Sequence, residues 1–494
     1  MYAMTINIYI TFIIKLGSSG VYLDIRIIFY CCYQIQKLKM LVFLLLLLII
    51  NSPLSIAQFN VHSENHNLEL YLTISARSRF VEISWNNAPH APGDIILLTS
   101  VAPFSFERMD GRERGLAPLG VVPYDVFAPS TEGPSDFDPI HKHQWVVNNG
   151  TAEVLSQVTP TQRKQWFQSM IPFDYKESAN VTKETRCYAF WATYLNSQGN
   201  ILKTQCLKAE PTWMNDMRSL IGDFRMRDLF IPGTHDSGSY IPNFTPGRLE
   251  TIVTKYALTQ DDDIRGQLYH GARYLDIRVG YFKNKEHIFY ITHGITRQRP
   301  LIEVINHVRD FVLDTNEIVI FGVKNFRSDL VKIYKLLVSF LRKQFGELII
   351  DPGRSWTVQL NDIWRRKQNV FIAYDKFEVV AEFPEVLFPS VEQRWGNVRT
   401  WDKLERHLRS VSMYDRNRFS GRPVADMAEL TPDAWGVITD KYGGLRKMAD
   451  DINWRVSELY RDDLAATSNI VAVDFLRGTN IVDLAINWNR KKVL

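Results

Sequence analysis

DLFIPGTHD at residues 228–236, ARYLDIRV at 272–279, HIFYITHG at 287–294 and EIVIFGVKN at 317–325 decide the fold. Each is a short run of apolar, β-branched and aromatic residues that ends on His, Asp, Arg or Lys. NVFIAYD (369–375), WGVITDK (435–441) and NIVAVDF (469–475) repeat the pattern. Between several of these strand candidates lie helical stretches such as LIEVINHVRDFVLD (301–314) and DLVKIYKLLVSFLRKQF (329–345), whose apolar residues recur at three and four. Strand and helix alternating over residues 213–494 predict an α/β domain whose parallel sheet is covered on both faces, of a length that suits a TIM-type (β/α)8 barrel, regular or irregular.

Upstream the grammar changes. Over residues 58–212, short segments such as LELYLTIS (68–75), RFVEISW (79–85) and DIILLTS (94–100) are separated by Pro, Gly, Asn and Asp clusters, which predicts an all-β sandwich before the barrel. Residues 128–139 read as a loop, and His141 and His143 lack a third metal ligand nearby, so they read as loop residues. The run LVFLLLLLII (41–50) follows Lys37 and Lys39 and precedes Pro53, Ser55 and Ala57. It is short of the about 20 residues a spanning helix needs and has the proportions of a signal peptide, cleaved after Ala57 and starting at Met40. Residues 1–57 are then an upstream extension plus leader, and the protein is secreted; the alternative is an uncleaved signal anchor. Cys187 and Cys206 flank a predicted hairpin turning at Asn196–Gly199, so an oxidising compartment favours a disulfide over two free thiols. Sequons stand at Asn149, Asn180 and Asn243.

The 494 residues carry 58 Lys and Arg against 54 Asp and Glu, a net charge of +4, which provides no broad basic face for nucleic acid. The chemistry lies at the strand ends: His235, Asp236, Asp276, Arg278, His293, Lys324, Asp375, Asp440 and Asp474. Burying such groups singly costs several kcal/mol, whereas gathered at a barrel mouth they satisfy one another. Two His, an Arg, a Lys and several Asp, with no Ser elbow, suit acid–base work at an anionic phosphorus centre.

The ordered series Ile231-Pro-Gly-Thr-His-Asp-Ser237, Thr259-Gln260, Gln267-Leu268 with Gly271, Arg273-Tyr-Leu-Asp276-Ile-Arg278 and Thr292-His293-Gly294 resembles the X domain of phosphatidylinositol-specific phospholipase C, closest to the bacterial and X-domain-only types. The resemblance covers roughly residues 214–494. It implies that His235 is the general base for the inositol 2-hydroxyl with Asp474 behind it, that His293 is the general acid assisted by Asp236, and that Arg278 binds the phosphate. Asp276, Lys324 and Asp375 are the further substrate-binding candidates. The bacterial enzymes place an inositol-binding Arg where this chain has Phe371-Ile-Ala-Tyr374-Asp375, and Trp395 or Tyr442 is then the aromatic candidate for covering the sugar. The cations Arg278 and Lys324 stand where calcium-dependent relatives present carboxylates, so no metal and no other cofactor is expected. The expected partners are an inositol phospholipid or a glycosyl-phosphatidylinositol anchor at a transiently contacted membrane, with the loop 240–244 as a candidate for dipping into it. Oligomeric state is left open. The competing readings are a metal-dependent glycerophosphodiester phosphodiesterase and a catalytically silent extracellular binding protein.

Overall fold

The computed structural model describes residues 7–16, 19–28, 68–103, 106–108, 145–147, 153–175, 181–246, 250–324, 331–414 and 421–492. The apolar run 41–50, the cleavage site at Ala57, His141, His143, Asn149 and Asn180 lie outside the described residues. By contacts the chain divides into Met1–Ser63 and Glu64–Leu494. In the first unit, Asn7–Leu16 pairs antiparallel with Ser19–Ile28.

The second unit opens with two antiparallel sheets. One has β1 (Glu69–Ile74), β2 (Phe80–Asn86) and β5 (Gln165–Pro172) in the order β1-β2-β5. The other has β3 (Ile95–Thr99), β4 (Val154–Val158), β6 (Cys187–Leu195) and β7 (Ile201–Lys208) in the order β7-β6-β3-β4. Alternation places Leu70, Leu72, Ile74, Ile83 and Trp85 on one inner face against Ile96, Leu98, Ala192 and Tyr194 on the other, and these form one buried core. β6 and β7 form the predicted hairpin, and an irregularity in its register brings Cys187 and Cys206 to a Cα separation of 5.6 Å, where they are bonded.

Parallel strands follow from Ile231 onward: β8 (Ile231–Thr234), β9 (Tyr274–Tyr281), β12 (Val319–Lys324), β13 (Val370–Tyr374), β14 (Phe388–Pro389), β15 (Glu392–Trp395), β16 (Val424–Met427) and β17 (Ile470–Val473). β8, β13, β16 and β17 are buried at every position, which is why β8, β13 and β17 read as unbroken apolar runs. Pairing runs β8-β9-β12-β13-β14 on one side and β8-β17-β16-β15 on the other. Only Ser390 and Val391 separate β14 from β15, too few residues for a parallel crossover, so the two lie end to end and this one segment completes the ring. The barrel is therefore irregular, with no helix between its fifth and sixth strands.

Two expectations change. HIFYITHG does form a strand, β10 (Phe289–His293), but it pairs antiparallel with β9 and with β11 (Thr296–Pro300), as an outlying hairpin rather than a ring strand. WGVITDK is not a strand. Asp433 caps it by accepting from Gly436 N, giving a short helix, Ala434–Ile438, and the ring strand is the preceding Val424–Met427. Asp440 accordingly falls in a turn after that helix and binds Lys255 Nζ at 2.6 Å.

At the amino end of the ring Arg273 and Glu317, both fully buried, pair at 2.6 Å. Arg273 also donates to the carbonyls of Leu268, Ala272 and Pro211, and Glu317 accepts from the amides of Met214 and Asn215. The pair thus fastens the segment leaving the sandwich to β9 and β12. Arg273→Leu leaves the Glu317 carboxylate buried without its cation, and chemical denaturation is expected to show a loss of about 3–5 kcal/mol.

Candidate active site

Register assembles the site. Thr234 pairs with Leu275 on one side and Val473 on the other, so the residues one step on, His235, Asp276 and Asp474, emerge side by side at the carboxyl mouth. Arg278 pairs with Lys324 in the next strand. After His235 the chain turns sharply: Asp236 takes φ 38°, Ser237 N donates to Asp276 O at 2.9 Å, and Ser237 Oγ accepts from Asp276 N at 2.9 Å. At Gly238 a Cβ would stand 2.5 Å from Ile291 of β10, so this turn needs glycine to lie against the strand that carries His293. Gln260 bridges the mouth, its amide donating to the carbonyls of His235 (3.0 Å) and Val473 (2.9 Å).

His235 Nδ1 lies 2.7 Å from Asp474 Oδ1, and Arg278 Nη2 lies 2.7 Å from His235 Nε2. With its proton on Nδ1 the neutral ring offers Arg278 a lone pair at Nε2, and this is the form that acts as a base. Arg278 is held in turn by Asp276 Oδ2 at 3.2 Å and Asp236 Oδ2 at 3.6 Å. Burial opposes its charge, but Asp236, Asp276 and Glu429 outweigh burial and raise its pKa. Asp276, for which burial alone favours the neutral acid, is brought down to about 2 by Arg278, His235 and Lys324. His293 Nδ1 approaches Ala257 O at 3.0 Å and Asp236 Oδ2 at 3.5 Å, and among the described residues neither Asp236 oxygen accepts a hydrogen bond.

His235, Arg278, His293, Lys324, Trp395 and Asp474 all line one cleft of about 310 Å³. Asp236 and Asp276 sit fully buried beneath it. Asp375 lines a neighbouring cavity of about 200 Å³ that shares Lys324 and Gln393 with the cleft. Tyr442 lies outside both: its hydroxyl donates to Asp433 and its ring packs against Gly436. In the loop 240–244, Tyr240 and Phe244 are buried, whereas Ile241 and Asn243 are exposed.

Two cleft residues escaped sequence reading. Gln393 of β15 donates to Asp276 Oδ1 (3.0 Å) and Tyr274 Oη (2.8 Å) and accepts from Lys324. Glu429, two residues beyond β16, is buried in the cleft wall, and neither carboxylate oxygen accepts a hydrogen bond among the described residues. Burial pushes Glu429 up to about 7, against the pull of His235 and Arg278. Burial alone disfavours the His235 imidazolium, but the Glu429 and Asp474 carboxylates outweigh it and Arg278, carrying His235 up to about 9. Glu429→Gln removes one of those carboxylates, so the imidazole loses its proton at lower pH. If His235 acts as a base, the rising limb of kcat/KM against pH moves to lower pH in this variant. An unmoved limb would show that Glu429 does not face the working base.

No family model matches the chain. PI-PLC X domain-containing protein 1 of Homo sapiens is 25% identical over 321 residues, covering 60% of this chain and 98% of that protein. Its Danio rerio counterpart is 28% identical over 311 residues, covering 56% and 96%. Among solved structures, phosphatidylinositol-specific phospholipase C from Listeria monocytogenes has a TM-score of 0.42 and 18% identity, covering 56% of this chain and 98% of that one. The F249X mutant of the Staphylococcus aureus enzyme has a TM-score of 0.43 and 14% identity, covering 56% and 97%. These sequence relatives support assigning the chain to the PI-PLC X domain family.

Proposed function

We propose that this chain is a secreted phosphodiesterase that cleaves inositol phospholipids or glycosyl-phosphatidylinositol anchors by metal-independent acid–base catalysis. The observation that carries this reading is the chain Asp474–His235–Arg278, at 2.7 Å for each link, opening into the same cleft as His293. His235 takes the proton of the inositol 2-hydroxyl, whose oxygen bonds to phosphorus. The bond from phosphorus to the diacylglycerol oxygen breaks, and His293 protonates that leaving oxygen. Arg278 holds the charge that grows on the phosphoryl oxygens. The nucleophile is already tethered beside phosphorus, so attack within the substrate precedes attack by water. The product is inositol 1,2-cyclic phosphate, which water opens more slowly with the two histidines exchanging roles. The cations Arg278 and Lys324 in the cleft wall favour this reading over a metal-dependent glycerophosphodiesterase. Secretion, with cleavage after Ala57 and glycan on the exposed Asn243, belongs to the same reading, and the Cys187–Cys206 disulfide supports it.

Among the described residues no helix is long and apolar enough to cross a membrane. The mouth instead carries an apolar rim. Ile252 and Val253 of α1 (Ile252–Ala257) are exposed, and Trp435 and Ile438 of α2 (Ala434–Ile438) are each 71% exposed. Asp440 joins the two helices by binding Lys255 and Tyr256 of α1. This patch adjoins the cleft wall at Leu430–Pro432 and supports docking on a lipid surface. Full-length protein given phosphatidylinositol vesicles in excess chelator is expected to release soluble inositol phosphate with matching diacylglycerol; folded protein releasing none would overturn the proposal. Trp435→Ala with Ile438→Ala is expected to weaken vesicle partitioning about 10-fold or more while sparing turnover of dispersed short-chain lipid.

A further inference from the structure

We propose that the N-terminal sandwich is a working part of the catalytic apparatus, because it grips the turn at residues 475–478 that presents Asp474 to His235. This rests on the reading of His235 and Asp474 as a catalytic pair.

The turn is held in an unfavourable shape. Phe475 has φ 51° and ψ 66°, the left-handed region, which a bulky side chain adopts only where its surroundings over-determine it. Part of the grip comes from the barrel: Phe475 N donates to Thr259 O at 2.8 Å, Leu476 N to Gln260 Oε1 at 3.2 Å, and Asn453 Nδ2 to Asp474 O at 3.0 Å. The rest comes from the sandwich. The Arg446 guanidinium lies 4.3 Å over the Phe475 ring and is fixed there by donating to Ala76 O, in the β1–β2 turn, at 2.7 Å. Asp261 sits between Arg446 and Arg79, the latter also from that turn, accepting from Arg79 at 2.7 Å and Arg446 at 2.9 Å. One residue beyond Leu476, the Arg477 guanidinium stacks 4.4 Å over Phe173 and 5.1 Å over both Tyr175 and Tyr188, all residues of the sandwich. At Gly478 a Cβ would stand 3.4 Å from Ile74 O, the last residue of β1. Asp450 completes the seam by accepting from Ser75 Oγ at 2.7 Å and Arg77 N at 3.1 Å.

Two features of this seam exceed what simple attachment of one module to another requires. Its charged members flank motif residues of the site: Asp261 follows Gln260, which holds the His235 carbonyl, and Arg477 stands three residues after Asp474. In addition, the strained residue itself lies under an arginine whose position depends on a sandwich carbonyl. Arg79, Arg446 and Arg477 are therefore positioning residues that act through Asp474, and none of them lines the cleft.

The test uses the full chain as Arg79→Ala and, as an independent probe, Phe173→Leu, which keeps the sandwich core filled but removes the ring over Arg477. The readout is the titration of the His235 imidazole by nitrogen-detected NMR without lipid, with kcat and KM on dispersed phosphatidylinositol beside it. Asp474, Glu429, Asp276 and Arg278 act on this ring, and only Asp474 is loosened by the variants. The His235 midpoint is expected to fall by about one unit or more, and kcat about 10- to 100-fold with KM unchanged. Arg79→Lys is expected to restore both. A midpoint and a kcat that match the parent in either folded variant overturn the proposal, even if melting temperature falls, since a merely structural seam moves stability alone. The midpoint is read without turnover, so a shifted midpoint in a protein that cleaves no lipid sinks the lipid reading and leaves the positioning intact. An unshifted midpoint in an active enzyme does the reverse.

Discussion

His235→Ala is expected to lower kcat/KM on phosphatidylinositol by about 100- to 10,000-fold, the span that a missing general base costs. The fold is expected to survive, because the ring borders an open cleft while the strand-closing contacts at this position are main-chain: His235 N donates to Val473 O at 3.0 Å and His235 O accepts from Gln260 at 3.0 Å. Asp474→Asn leaves the shape nearly unchanged but offers the imidazole a different partner, so the wrong tautomer is stabilised and a large part of the same loss follows. Equal melting temperatures with unequal rates distinguish this from unfolding. A folded His235→Ala protein with full activity would show that His235 is not the base.

Arg278→Met is expected to cost about 100- to 1,000-fold in kcat, the range for removing a preorganised donor from a growing oxyanion. Arg278→Lys is expected to recover little of it, because a single ammonium cannot reach His235, Asp276 and Asp236 together as the planar fork does, at 2.7, 3.2 and 3.6 Å. Removing the guanidinium also leaves the buried carboxylates of Asp236 and Asp276 without their cation, so some loss of stability accompanies the loss of rate. Saturating lipid separates the two effects, since the fall is expected in kcat and not only in KM.

How much of this was legible before the structure depended on how plainly each strand announced itself. β13 and β17, buried on both sides, read as continuous apolar runs, and with them Asp375 and Asp474 were placed at strand ends. β16 did not, because its four residues include Asp426, a buried carboxylate satisfied by the Tyr460 hydroxyl at 2.9 Å. The β-branched Val437, Ile438 and Thr439 just beyond it imitated a strand, while the Asp433 cap that makes them helical is a local signal easily outweighed by composition. Misplacing that strand by about ten residues hid Glu429 and put Asp440 in its stead. Gln393 was invisible for a related reason: β15 reads EQRW, polar and only half-buried, and its place in the ring follows from pairing with β16. The motif residue Gln260, and Gly238 just past the first motif, carried no chemistry in the sequence; the structure shows them tying the histidine-bearing turn to its neighbours.

Phosphorus NMR of the products formed from phosphatidylinositol in excess chelator tests the central claim most directly, because it reports which oxygen attacked phosphorus. The arrangement of His235, Arg278, His293 and Asp474 predicts a cyclic phosphate signal that appears first and decays slowly to inositol 1-phosphate. An acyclic phosphate from the earliest time point, or turnover that appears only when a divalent metal is restored to folded protein, would contradict it.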